Sequence, residues 1–236
     1  MSLVVFLLFM MVSAAAAFIQ GATGMGFALI VAPVFGLFYP EFLPSGLLIL
    51  MLPLNMLILW RDRIAIDWRG TGWITFGRFW GTFGGLWVLS VLTAPQLTFT
   101  VGALTVAAAL AALLAPRFDP TRGGALGAGV ITGITETATG IGGPPLALLY
   151  QHAPAAVIRA TLATCFFVGG VISLAFLAML DRVAWTDLGY AAALTPGVLL
   201  GVVLSKVIHS RIDGPRVRYY VLAFAIISGL ALIVRG

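Results

Sequence analysis

Charge is what this sequence has least of. Of its 236 residues only 9% are charged and 61% are hydrophobic, whereas a soluble domain carries about a quarter charged residues. A soluble globular chain is therefore excluded, and no polar stretch is long enough to form a separate soluble domain. The single cysteine, Cys165, lies inside an apolar stretch and rules out an internal disulfide framework. The two histidines, His152 and His209, sit between apolar stretches and form no paired-His zinc motif. There is no nucleophile with a plausible His partner and no Gly-Lys-Ser/Thr nucleotide loop. These absences argue against an enzyme, against a cofactor or metal, and against direct drive by ATP. The net charge of +5 does not point to nucleic acid, because the basic residues occupy short loops between apolar segments, the placement that orients membrane proteins.

What is present is apolar sequence in runs of about 20 residues, the length that crosses about 30 Å of hydrocarbon. The first half has segments at 3–38, 42–60, 73–92 and 96–115; the second has them at 123–150, 157–180, 188–208 and 217–234. Residues 1–17 resemble a signal peptide in their apolar run and small residues. They have no Lys or Arg at their start, however, and a glycine motif follows at once, so the segment is expected to be retained.

The two halves look duplicated. Ala22-Thr23-Gly24-Met25-Gly26 matches Ala138-Thr139-Gly140-Ile141-Gly142, Asp62-Arg63-Ile64-Ala65 matches Asp181-Arg182-Val183-Ala184, and Val88-Leu89-Ser90 matches Val203-Leu204-Ser205. The matches keep their order, at offsets near half the chain length. They divide the chain into repeats 1–122 and 123–236, with the junction near Arg117 to Arg122.

The opening segment of each half is interrupted, by Gly21 to Gly26 in one and by Gly140-Ile141-Gly142-Gly143-Pro144-Pro145 in the other. Glycine adds backbone freedom and proline removes a donor, so each segment is either a kinked single span or a hairpin. Charge decides between them. Single spans would divide the loop cations seven against five, whereas hairpins place Arg61, Arg63, Arg69, Arg117, Arg122, Arg159, Lys206, Arg211, Arg216 and Arg218 on one side and only Arg182 and Arg235 on the other. Ten against two is the positive-inside distribution. The expected fold is an all-α integral membrane protein of two inverted-topology repeats, each a broken or re-entrant helical hairpin plus three transmembrane helices. Both termini face the periplasm, and the glycine-rich tips meet near the midplane.

At each tip the returning half-helix would present free N–H groups and the positive end of its dipole. Thr23 and Thr139 are placed to cap these returning helices, and Pro144 and Pro145 suit a first turn. Two such N-termini form an anion site, although the same glycines would also let helices pack closely. The candidate substrate residues are Gln20, Thr23, Gly24, Met25 and Gly26 of the first break and Thr139, Gly140, Gly142 and Gly143 of the second, with Asn55 and Arg78. Asn55 either lines a cavity or bonds a neighbouring helix. Arg78, about 9 Å inside its helix end, either snorkels to the interface or attracts an anion. Glu136 is the only acid deep in an apolar segment, about 20 Å along from Gly123. A carboxyl there is either a proton carrier that couples transport or a neutral, hydrogen-bonded group. Its repeat counterpart is the neutral Gln20.

These motifs resemble those of the sulfite exporter (TauE/SafE) family of bacterial permeases, over essentially the whole chain. Gly21 to Pro33, with Gly24-Met25-Gly26-Phe27, looks like the first family motif, with Met25 and Phe27 departing from its usual glycine triplet. Gly133 to Pro145, ending Gly140-Ile141-Gly142-Gly143-Pro144-Pro145, looks like the second. The resemblance implies export of a small anionic substrate, sulfite or an organosulfonate, across the bacterial inner membrane. A passive anion channel and a non-transporting scaffold are the rival expectations. The sequence is also compatible with a homo-oligomer in the lipid bilayer.

Overall fold

A computed structural model describes residues 3–114, 121–208 and 214–235, with the side chains of 207, 208 and 214–218 excepted. The junction over 115–120 and the loop around His209 and Arg211 lie outside the described residues. Those described form ten α-helices and no strand: α1 (Leu3–Thr23), α2 (Phe27–Phe38), α3 (Ser45–Asp62), α4 (Trp68–Val91), α5 (Ala94–Leu114), α6 (Arg122–Thr139), α7 (Gly143–Leu149), α8 (Ala155–Met179), α9 (Trp185–Ile208) and α10 (Gly214–Arg235). The two expected interruptions fall between α1 and α2 and between α6 and α7. Arg122, placed at the end of the first repeat, already opens α6 behind the cap Thr121.

Four helices are long and apolar enough to cross a membrane on these measures alone: Leu3–Thr23, Ala94–Leu114, Ala155–Met179 and Trp185–Lys206. The outer surface agrees with a lipid setting. Trp80 and Trp87 are 58% and 66% exposed, beside exposed Phe76, Phe79 and Phe83 on the same helix. In lipid, apolar side chains gain little by meeting one another, so small residues and backbone contact hold the helices together. The opposite face of α4 shows this. A β-carbon on Gly81 would overlap the carbonyl oxygen of Val130, and one on Gly77 that of Leu126, both on α6. On α9, Gly201 meets the backbone of Ala14 in the same manner, and Gly197 packs against the Met10 side chain.

Those two interfaces belong to a wider pattern. Helix α4 packs on α6 and α1 on α9; α3 contacts α9 and α8 contacts α4; α2 rests on α10 and α7 on α5. Helices α3 and α8 pair with each other, as do α5 and α10. Exchanging α1–α5 for α6–α10 carries each of these pairings into another. An aspartate stands at the start of each exchanged helix: Asp67 accepts the Gly70 N–H at the start of α4, and Asp187 accepts the Ala184 N–H at the start of α9.

Candidate functional site

Both breaks depend on left-handed backbone that only glycine adopts without strain: Gly24 and Gly26 have φ of 90° and 117°, and Gly140 has 80°. After each break the chain doubles back over the turn before it. The Phe27 N–H donates to Gln20 Oε1 at 3.0 Å, and the Thr132 hydroxyl donates to the Gly142 carbonyl at 3.2 Å. Pro144 and Pro145 occupy the first turn of α7.

Two expectations about the tips need correction. Thr23 and Thr139 do not cap the returning helices, whose caps are Gly26 and Gly142 without a side-chain bond. They end the outgoing helices, donating to the carbonyls of Ile19 and Thr135 at 2.8 and 2.7 Å. In an apolar interior a threonine hydroxyl satisfies itself on the carbonyl one turn back. Nor do the apexes meet at one level. The first reaches the C-terminal end of α3, where Arg61 donates to the Gly21 carbonyl at 2.7 Å; the second packs Gly140 on Leu47 at the N-terminal end of α3. Leu47 and Arg61 lie about 21 Å apart along that helix. Helices α1 and α6, of 21 and 18 residues, are long enough to run nearly the full thickness before turning, at about 1.5 Å per residue.

The apex and return segment of the first break and the return segment of the second line a cavity of about 350 Å³. Gln20, Thr23, Met25, Gly26 and Leu29 line it from the first break and Gly143, Pro144 and Ala147 from the second, together with Phe166 of α8 and Arg159. Of the sequence candidates, Gly24, Asn55, Arg78, Glu136, Thr139, Gly140 and Gly142 stay outside this lining. Asn55 is fully buried; it accepts from Gln20 Nε2 at 2.9 Å and donates to the Met51 carbonyl at 2.9 Å, so it bonds a neighbouring helix.

Among the described residues Arg159 is the one charged lining residue, in a position that by sequence alone is a loop cation. Its position three residues into the apolar segment 157–180 was the available signal. Its Nε donates to Asp62 Oδ2 at 2.8 Å, and Asp62 also pairs with Arg61 at 3.0 Å. Burial works against ionisation of Asp62, which lies past the apolar stretch 42–60. The hydrogen bonds and charges of Arg61 and Arg159 outweigh that penalty and hold the carboxyl below its ordinary value of 3.8. Two cations on one anion leave the mouth of the cavity net positive.

Beyond the cavity wall lies a second charged group. Arg78 does not snorkel; it is 1% exposed, and its Nη2 lies 2.7 Å from Glu136 Oε1, both side chains being buried. Its Nη1 donates to the Cys165 carbonyl at 2.8 Å. The ion pair lacks hydrogen-bond alignment, leaving Arg78 Nε and Nη2 and both Glu136 oxygens without a hydrogen-bond partner. Two glycines make room for it: a β-carbon on Gly169 would overlap the guanidinium, and one on Gly142 would overlap the carboxylate. The pairing joins residues 58 positions apart, 136 less 78, and no local pattern announces it.

Exposed aromatic surface, backbone-to-backbone helix packing and broken helices around a buried charged centre define a multi-pass integral membrane protein. Residues 9–232 match the sulfite exporter TauE/SafE family, and the chain belongs to that family of membrane transporters. No curated protein and no solved structure matches it.

Proposed function

We propose that this protein is a secondary transporter that exports a small anion, sulfite or an organosulfonate, across the bacterial inner membrane. The observation that carries the reading is the cavity. Both broken helices line it, and among the described residues its one charged lining residue is the cation Arg159. Ala112 near the end of α5, Arg159 near the start of α8 and Val221 in the first turns of α10 also line it. Under the positive-inside assignment these ends face the cytoplasm, so the cavity is open for loading from within. The exchange symmetry of the helix pairings supports two inverted repeats, and with hairpins both termini are periplasmic.

Glu136 is the coupling group in this reading. Arg78 neutralises it while the two are paired. A free carboxylate about 6 Å from a bound anion would repel it by roughly 3 kcal/mol at an effective dielectric of about 20. Export down the proton gradient requires that Glu136 take its proton from the periplasm as the anion leaves and return it inward on the empty transporter.

The test is a binding screen of purified protein against sulfite, sulfate, thiosulfate, sulfoacetate and carboxylates, followed by transport in liposomes. A sulfur oxyanion or sulfonate should bind and be moved, and failure of every anion would end the reading. Glu136→Gln should preserve exchange between equal pools and eliminate export driven by a pH difference. If that variant still accumulates substrate against its gradient, Glu136 is not the coupling group.

A further inference from the structure

We propose that the Arg78 guanidinium is a second anion-binding position, deeper than the cavity, and that the Phe166 ring is the gate in front of it. The inference rests on the export reading above. Phe166 lines the cavity yet is only 3% exposed. It follows Arg159 by seven residues, about 10 Å deeper along α8. The Arg78 Cζ lies 6.0 Å from the ring centre, and Arg78 itself does not line the cavity. A β-carbon on Gly143 would touch the ring at 3.9 Å, so the start of α7 closes the other edge. The ring thus touches the cavity on one hand and the buried cation on the other, and a path from one to the other passes it.

The guanidinium is an incomplete binding site. Nη1 is held by the Cys165 carbonyl, whereas Nε and Nη2 are more than nine-tenths buried and make no aligned hydrogen bond, Nη2 only facing the Glu136 carboxylate at 2.7 Å. A tetrahedral or pyramidal oxyanion presents two oxygens at the spacing that a guanidinium fork receives. Gly169 contributes by having no side chain, since even one methyl group would displace the guanidinium. An anion arriving at Arg78 competes with Glu136 for it, so Arg78 alternates between the substrate and the carboxylate. Rotation of Phe166 out of the path admits the anion. The displaced carboxylate is then free to take its proton from the far side as the anion departs. When the ring is in place, the Arg78–Glu136 pair is sealed from the cavity, and the empty transporter does not leak.

The gate is tested by exchange of labelled sulfite and methanesulfonate between equal pools in liposomes carrying the full chain. Phe166→Ala should exchange several-fold faster than the unmodified protein, Phe166→Leu by a smaller factor, and Phe166→Trp several-fold slower. Adding Arg78→Gln to Phe166→Ala should remove the gain. Opposite signs for Ala and Trp are not expected of a ring that only fills space, because both changes would then impair the protein. If all three substitutions slow exchange, or none alters it, while the unmodified protein binds and exchanges the anions, the gate is wrong and the export reading stands. Retention of the fast rate in the double variant would refute Arg78 as the deeper position. If the unmodified protein binds none of the anions, the export reading falls and the gate falls with it.

Discussion

The Arg78–Glu136 pair permits a test that separates holding the fold from moving substrate. Both side chains are buried, with Nη2 and Oε1 2.7 Å apart. Removing one member of such a pair strands a charge where no water reaches it, at a cost of about 3–5 kcal/mol. Removing both and filling the volume with apolar atoms is close to neutral, or stabilising by about 1–4 kcal/mol. Arg78→Met and Glu136→Met should therefore each lower stability by about 3–5 kcal/mol, while the double variant returns to near the parent. Simple additivity would instead give a double-variant loss of about 6–10 kcal/mol. The measurement is reversible unfolding in mixed micelles at fixed pH, following tryptophan fluorescence, with the same four proteins assayed in liposomes. Stability should recover in the double variant and transport should not, because neither the anion position nor the coupling carboxyl remains. An additive stability loss would refute the ion pair as the dominant interaction at this point. Transport by the double variant would refute its role in function.

Gly142→Val should insert and fold but lose transport, because its side chain would occupy the space of the Glu136 carboxylate; an unchanged transport rate would count decisively against the site. Cysteines introduced at Ser2 and Ser210, in a background where Cys165 is Ser, should label from opposite faces of the membrane, the first from the periplasm; finding both on one side would sink the hairpin topology. Asp62 has a folded-state value held below 3.8 by Arg61 and Arg159, so its contribution is present at all pH above that ordinary value and lost as pH falls through the depressed one. The difference in thermal midpoint between parent and Asp62→Asn should accordingly stay constant from neutral pH to about pH 5 and shrink only below about pH 4; a difference that shrinks on raising the pH would contradict the assignment.

Helix positions were legible because in lipid every backbone polar group must be paired within its own helix, so each apolar run of adequate length reports an element. Both interruptions were legible for the complementary reason: Gly24, Gly26 and Gly140 adopt backbone angles that other residues avoid. The stagger of the apexes follows from the lengths of α1 and α6; a glycine motif by itself does not say how far the helix before it has run. A hydroxyl next to a break bonds both ways: Thr23 and Thr139 donate to carbonyls one turn back and accept the N–H groups of Met25 and Ile141, so the residue type alone does not say which helix it serves. Arg78 opposite Glu136, and Phe166 over Arg78, are contacts across helices. Periodicity within a segment says which face is apolar, not which residue of a distant segment stands against it.

The two breaks also differ in a way that suits them to different work. Gln20 and Glu136 occupy matching positions, 116 residues apart in the same motif. Gln20 is saturated: its amide donates to Asn55 and its carbonyl accepts the Phe27 N–H, tying α1 to α3 and to the start of α2. Glu136 makes no such hydrogen bonds and faces a cation instead. The α4 glycines Gly77 and Gly81 correspond, through their contacts, to Gly197 and Gly201 of α9. That correspondence sets Val198, buried and apolar, where Arg78 stands in the other half. The first break is tied by the neutral hydrogen bonds of Gln20 and by the Arg61 guanidinium on the Gly21 carbonyl. The second is held by an attraction that protonation of one carboxyl would cancel. Under the proposed transport cycle, the second break, whose carboxyl faces Arg78, is the part that a proton and an anion would switch.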